Sequence, residues 1–327
     1  TPGGTLTCTF ASVTNSASVT FNYYIPLLDA SNNRVIDPST GDDVLSNNNA
    51  SAVGDWTPID TRDAGGTDNA VADPAGYEHV LNDKSIAIQK SVVNITDATN
   101  SPGDILEYTL TFQISDYFAF DGITVTDIIS DGQHFDSLFT PTMTVNGNPS
   151  ATNDSSGNMD TINYTVTCNY TGGPGAECNV NNPSPDDGTS TIVFNVSGEL
   201  ISRLQPSRLV GGCINPLAGG SEPPDCSIYN DGPTTVTIVF RTIIQEEYTN
   251  IPGDLSIDQG DSLNNTVTVN AEVLNNGTLG NQDPIQLEED GSSADVSIDT
   301  GHVVKTIYAI NGTACSPQPC TNVRVKP

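Results

Sequence analysis

Ile105-Leu-Glu-Tyr-Thr-Leu-Thr-Phe-Gln-Ile114 puts Leu106, Tyr108, Leu110, Phe112 and Ile114 on one side of an extended chain and Glu107, Thr109, Thr111 and Gln113 on the other. Successive side chains of a strand point to opposite faces, so this alternation predicts a strand with one buried face. The same period recurs in Ile123-Thr-Val-Thr-Asp127, in Thr189-Ser-Thr-Ile-Val-Phe-Asn-Val196 and in Asn265-Thr-Val-Thr-Val-Asn270. β-branched and aromatic residues fill these runs, and Gly, Pro, Asn and Asp punctuate them. The best helical candidate, Glu199-Leu-Ile-Ser-Arg-Leu204, is short and is stopped by Pro206. The expected architecture is all-β, an antiparallel sandwich with decorated loops.

A second pattern has a much longer period. Ser18-Val-Thr-Phe-Asn-Tyr-Tyr-Ile-Pro-Leu-Leu-Asp29 aligns with Thr235-Val-Thr-Ile-Val-Phe-Arg-Thr-Ile-Ile-Gln-Glu246. Asp43-Val-Leu-Ser-Asn-Asn48 follows as Asp261-Ser-Leu-Asn-Asn265 does, and Ile88-Gln-Lys-Ser-Val92 matches Val303-Val-Lys-Thr-Ile307. The offset is close to 218 residues, which predicts modules in tandem repeat. On this reading residues 1–84 are the C-terminal part of a preceding repeat plus a linker, 85–300 are a complete module, and 301–327 begin a following one. Two stretches read as connectors or irregular insertions: Gly54 to Asp83, whose repeat-equivalent is roughly 275–300, and the Cys168–Cys178 region with Gly172-Gly-Pro-Gly175, a loop inside the complete module.

The chain carries ten Lys+Arg against forty Asp+Glu, a formal net charge of −30. Such a surface repels phosphate backbones and anionic lipid headgroups, which excludes nucleic acid and membrane surfaces as expected partners. No stretch approaches the ~20 apolar residues that cross a bilayer. Of seven cysteines, three pairs are close in sequence: Cys168 with Cys178, Cys213 with Cys226, and Cys315 with Cys320. Pairing them predicts three short disulfide loops and an oxidising, extracellular setting. Cys8 is left unpaired; at the repeat offset it corresponds to Cys226, and its own partner would fall before residue 1.

Strand parity raises the chemical question. Lys90 shares the apolar side of its strand with Ile86 and Ile88, Asp127 shares one with Ile123 and Val125, and Asn265 shares one with Val267 and Val269. A lone buried ammonium or carboxylate is very costly, so these groups must pair or become neutral. A neutral lysine is a nucleophile, and a protonated Asp can polarise the Asn carboxamide. Attack would expel ammonia and leave a Lys–Asn isopeptide bond. The less reactive alternative is a Lys90–Asp127 ion pair with Asn265 hydrogen-bonded beside it.

Lys90, Ser101-Pro-Gly-Asp-Ile-Leu-Glu-Tyr-Thr-Leu110, Gly122-Ile-Thr-Val-Thr-Asp127-Ile-Ile, Asp131-Gly-Gln-His-Phe135 and the late Asn265-Thr-Val-Thr-Val269 together resemble one family. It comprises the conserved-repeat domains of large bacterial surface proteins, which are similar to the isopeptide-forming β-sandwich domains of fimbrial subunits and collagen adhesins. The resemblance covers most of 85–270 and departs between about 148 and 235, where a disulfide-bearing insertion is expected. It implies a Lys90–Asn265 crosslink promoted by Asp127, with Asn49 and Lys305 as half-partners of neighbouring repeats. The implied role is structural: a cell-surface or secreted repeat of an adhesin, stalk or filament, whose partners are other copies of itself. No enzyme is expected beyond a single autocatalytic turnover within each module. Two alternatives are a module that recognises a glycan or surface through the 148–235 insertion, and a surface-layer lattice protein.

Weaker signals add little. Asp154-Ser-Ser-Gly-Asn-Met-Asp160 has oxygen side chains at alternate positions but lacks the Gly and Glu of a calcium loop, and reads as a turn. No cofactor is expected, apart from calcium stiffening acidic linkers at Glu288–Asp290 and Asp295–Asp299. Asn-x-Ser/Thr sequons recur, for example at Asn94, Asn163, Asn195 and Asn311. No Ser/His/Asp ordering and no phosphate loop is present.

Overall fold

The computed structural model describes residues 5–13, 18, 20, 29–31, 33, 35–37, 40–56, 68–146, 157, 160–169, 188–212, 233–249, 256–274, 286–299, 309–310 and 313–314. In chain order the elements are β1 (Val44–Trp56), β2 (Asp68–Asp83), β3 (Ile86–Asn94), β4 (Ile105–Ile114), β5 (Ala119–Ile129), β6 (Gln133–Phe135), β7 (Thr142–Asn146) and β8 (Tyr164–Asn169). There follow β9 (Thr189–Asn195), α1 (Val196–Ser202), β10 (Leu209–Val210), β11 (Thr234–Ile244), β12 (Ser262–Val273), β13 (Leu287–Ser297), β14 (Ala309–Ile310) and β15 (Thr313–Ala314).

Two antiparallel sheets face each other. One runs β13-β12-β5-β9-β8, with β10 also on β5; the other runs β3-β4-β11-β6, with β7 also on β11. The alternation that predicted β4 is realised in full, since Leu106, Tyr108, Leu110, Phe112 and Ile114 are all fully buried. They meet Val236, Ile238 and Phe240 of β11 in their own sheet and Ile123, Val125, Ile192, Phe194, Val267 and Val269 of the facing one. Burying each such side chain contributes about 1.5–3 kcal/mol, so this interior dominates the stability of the sandwich.

Two expectations are corrected. Residues 68–83, read as irregular, form β2, which pairs with β1 as an antiparallel ribbon from Val44↔Asp83 to Trp56↔Asp68. The stretch read as acidic linkers, Glu288–Asp290 and Asp295, is strand: β13 pairs with β12 from Ser262↔Ser297 to Glu272↔Leu287. Its inward positions include Asp290 and Ser292, so no apolar alternation announces it. Those side chains instead satisfy the outer edge of β3: Ile88 N donates to Asp290 Oδ2 at 2.7 Å and Lys90 N to Ser292 Oγ at 3.1 Å. Side chains of one sheet thereby close the free edge of the other. Within 148–235 the strand expected at 189–196 and the short helix appear as β9 and α1, and with β8 and β10 they place Ile192, Phe194, Val196, Leu200 and Leu209 in the main core.

The quoted motif residues turn out to be turn builders. Asp104 Oδ2 accepts from Ser101 N (2.9 Å), Ser101 Oγ (3.0 Å) and Asn94 Nδ2 (3.0 Å), and Gly103 sits at φ +94°. Asp131 Oδ1 accepts from Gly132 N and Thr249 N, both at 2.9 Å. At Gly132 (φ +92°) a Cβ would lie 2.8 Å from both Leu263 Cδ2 and Tyr248 Cε1, so only glycine fits. The boundary expected at 84/85 is crossed by packing. Ser85 Oγ donates to the Gly41 carbonyl at 2.8 Å, Ile36 packs against the main core, and Lys84 pairs with Asp290.

Candidate crosslinking site

Lys90 lies on β3, Asp127 on β5 and Asn265 on β12. In the register of β12 against β5, Val267 stands opposite Asp127 and Asn265 opposite Ile129. Asp127 and Asn265 are therefore diagonal neighbours on one inner face. Lys90 comes from the opposite sheet and spans the interior to meet them. The structure brings all three together: Lys90 Nζ donates to Asp127 Oδ2 and, at 2.6 Å, to Asn265 Oδ1. The side chains of Lys90 and Asp127 are wholly buried, and Asn265 is 0 % exposed.

Aromatic rings wall the site. Lys90 Nζ is 4.7 Å from the Tyr108 ring centroid and 5.4 Å from that of Phe240, and the two rings stack at 5.2 Å. Ring faces attract the ammonium but cannot accept its protons as water would. Burial accordingly pulls Lys90 from 10.5 down to about 8, against the opposing pull of the Asp127 charge. Burial also pushes Asp127 from 3.8 up to about 6, against the Lys90 charge. Both shifts favour the uncharged forms. Among the described residues, Asp127 Oδ1 and Asn265 Nδ2 find no hydrogen-bond partner. A purely structural ion pair would be expected to satisfy these atoms, since an unpaired buried polar group costs about 1–3 kcal/mol.

A second polar shell, missed in the sequence, adjoins the site. Tyr108 OH donates to Gln133 Oε1 at 2.8 Å, Thr242 Oγ1 donates to the same oxygen at 2.9 Å, and Gln133 Nε2 donates to Ser130 Oγ at 3.1 Å. Gln133 and Thr242 are 0 % exposed. The available signal was Tyr108 on an apolar strand face, because a buried phenol needs a partner for its hydroxyl.

The other candidate residues fare differently. Asn49 is exposed on β1 opposite Glu78, and Lys305 lies outside the described residues. Cys168 is buried on β8 with its Sγ 3.3 Å from Ser190 Oγ, and Cys8 is exposed and free. Cys178, Cys213, Cys226, Cys315 and Cys320 lie outside the described residues. Of the sequons, Asn94 donates its Nδ2 to Thr99 O, Asn100 Oδ1 and Asp104 Oδ2, and Asn163 donates its Nδ2 to Glu199 Oε2. Among the described residues no group of three or more His, Cys, Asp or Glu side chains is placed to hold a metal ion. No helix among them is long and apolar enough to cross a membrane.

No protein-family model matches the chain, and no curated protein matches it. Solved structures similar to it include the full-length major pilin SpaD from Corynebacterium diphtheriae, at 12 % identity and TM-score 0.33, with 66 % of this chain and 35 % of that one covered. The major pilin subunit BcpA of Bacillus cereus follows at 10 % identity and TM-score 0.31, covering 76 % of this chain and 48 % of that one. The pilus backbone RrgB from Streptococcus pneumoniae gives 13 % identity and TM-score 0.29, covering 57 % and 31 %. The chain spans between about a third and a half of the length of these structures.

Proposed function

We propose that the sandwich of residues 85–300 is a load-bearing structural module of an extracellular filament or adhesin stalk, closed by a covalent bond between Lys90 and Asn265. The observation that supports this most is the buried lysine, its Nζ within 2.6 Å of a carboxamide oxygen and flanked by a carboxyl group pushed toward neutrality. In the neutral pair, protonated Asp127 polarises the Asn265 carbonyl while the Lys90 amine attacks its carbon. A new C–N bond forms to Lys90 Nζ, the bond to Asn265 Nδ2 breaks, and ammonia leaves. The proton lost by Nζ passes through Asp127 to the departing nitrogen, so Asp127 ends as it began. Fixed proximity makes the step effectively unimolecular, and it happens once per module, without turnover.

The placement suits a mechanical role. β3 opens the sandwich and β12 is its penultimate long strand, and the joined residues are 175 positions apart. Tension entering through β3 would cross directly to β12 and bypass the intervening strands. Copies of the same chain at the cell surface are the partners in this reading, and the disulfides Cys168–Cys178, Cys213–Cys226 and Cys315–Cys320 are further staples within it. The test is the intact mass of the full chain under reducing conditions. One ammonia less than the sequence mass is expected, together with a Lys90–Asn265 branched peptide after proteolysis. A full sequence mass in every molecule would overturn the covalent reading.

A further inference from the structure

We propose that Ser292 and Asp290 pin the backbone of the strand that carries Lys90 and so fix where its amine stands, making both of them positioning residues for crosslink formation. This rests on the covalent reading above and goes further, because it assigns the placement of the nucleophile to two residues of another strand that do not react.

Lys90 sits on the least supported strand of its sheet. Among the described strands β3 pairs with β4 and with no other, from Ile86↔Ile114 to Asn94↔Leu106. A strand hydrogen-bonded along one side alone opens and shifts more readily than one held on both. The amides of Ile88 and Lys90 point away from β4, and β13 meets them with side chains. Lys90 N donates to Ser292 Oγ at 3.1 Å, and Ile88 N donates to Asp290 Oδ2 at 2.7 Å. Asp290 is held in turn, since Lys84 Nζ donates to its Oδ1. The register of the facing sheet gives these bonds their meaning. Ser292 stands opposite Val267 of β12, and Val267 opposite Asp127 of β5, so Ser292 and Asp127 lie on one line across three strands. Asn265 is two residues along β12 from that line, opposite Ala294. The β12–β13 hairpin therefore holds both the amide to be attacked and the hydroxyl that anchors the attacking residue's main chain. Beyond that anchor Lys90 has a flexible four-carbon stem, and a sideways shift of β3 would carry its Nζ off Asn265 Oδ1, 2.6 Å away. A misplacement of about 1 Å costs on the order of a hundredfold in rate. A hydrogen bond at the amide of the reacting residue itself is the most direct hold against it.

Loosening the pin should slow the reaction without abolishing it. The full-length chain would be made by cell-free translation and quenched in acid at intervals. Intact mass reports the fraction that has lost ammonia, and denaturant midpoints report stability. Ser292→Ala removes the acceptor at Lys90 N and is expected to slow ammonia loss by about five- to tenfold, the scale of one neutral hydrogen bond. Ser292→Thr keeps the hydroxyl on a residue that suits a strand and should restore the rate. Asp290→Ala should also slow the reaction, at a larger loss of stability, because Lys84 is left without that partner. Two controls lower stability while leaving both amide bonds of β3 in place, and both should keep the unsubstituted rate. Lys84→Met strips Asp290 of its cation, and Ser85→Ala removes the hydroxyl bonded to the Gly41 carbonyl beside the start of β3. A merely structural seal of the strand edge would make the rate follow stability across the whole set. If Asp290→Ala does not fold, Ser292→Ala and Ser292→Thr carry the test by themselves. Three results would overturn the pin and spare the crosslink: Ser292→Ala keeping pace with an unsubstituted chain that loses ammonia, Ser292→Thr proving as slow as Ser292→Ala, or either control slowing as much. Unsubstituted chain that stays at full mass overturns both.

Discussion

Two buried ionic clusters, each containing an asparagine, sit in this sandwich and are built on opposite lines. In the first, Arg203 Nε donates to Glu199 Oε1 at 3.1 Å, Nη1 to the Met143 carbonyl at 3.0 Å and Nη2 to the Thr161 carbonyl. Glu199 Oε2 accepts from both Asn163 N and Asn163 Nδ2 at 3.0 Å, and Oε1 also accepts from Ser202 Oγ. All three guanidinium nitrogens and both carboxylate oxygens have partners, and the pair ties the C-terminal end of α1 to β7 and to the Thr161 backbone beside it. In the second cluster, Lys90, Asp127 and Asn265 leave Asp127 Oδ1 and Asn265 Nδ2 without partners, and aromatic faces stand where acceptors would quench the ammonium. Saturation makes a strut. Incomplete saturation around an amine, an acid and an amide favours charge neutralisation, the condition that the proposed bond formation needs.

Substitution should separate the two. On the covalent reading Lys90→Ala prevents the proposed crosslink and leaves Asp127 without its partner in a dry interior, a buried unpaired polar group costing about 1–3 kcal/mol. Loss of a covalent loop of 175 residues adds about 5 kcal/mol by loop-closure entropy. The expected result is the largest fall in denaturant midpoint of any single change, with the intact mass equal to the variant's own sequence mass. Arg203→Ala should cost about 3 kcal/mol by leaving Glu199 unpaired, while the loss of ammonia proceeds as before. Arg203→Lys should restore little, since one ammonium cannot reach Glu199 and two carbonyls in three directions. A Lys90→Ala chain no less stable than Arg203→Ala would remove the distinction between strut and reactive site.

How far the two clusters could be read from sequence also differs. Lys90, Asp127 and Asn265 each break an otherwise apolar alternation, so parity alone places three polar groups in one interior. Glu199 and Arg203 show an i, i+4 spacing, but their function depends on carbonyls 60 and 42 positions from Arg203 that carry no side-chain signal. Gln133 was visible only as part of a turn motif, because its burial follows from Gln133 pairing with Ile244 across two strands. β13 was misread as linker for a similar reason. Its inner face carries Asp290 and Ser292, whose task is to satisfy backbone N–H groups of β3, and no hydrophobic period could report that. The strands of the core were legible because burial and period coincide there. The edges and supporting shells were not, because hydrogen bonding shapes them.

A finer separation comes from pH. Bond formation needs the net-neutral pair, either as amine with acid or as its proton-transferred ion pair. With Asp127 at about 6 and Lys90 at about 8, that state prevails between these values. Below about 6 Asp127 is protonated while Lys90 is still an ammonium, so the nucleophile is missing; above about 8 the amine is free but Asp127 has lost the proton that polarises the carbonyl. The rate of ammonia loss should therefore follow a bell, highest between about pH 6 and 8 and falling by about tenfold, or 1.4 kcal/mol, for each unit outside it. These are macroscopic values of the coupled pair, so both limbs should move together when either group is changed. Arg203→Ala should leave the bell in place, because the strut contributes no proton to the reaction. A rate that climbs steadily through pH 9 would mean that the amine acts without the acid, and Asp127 would then be a counter-ion and nothing more.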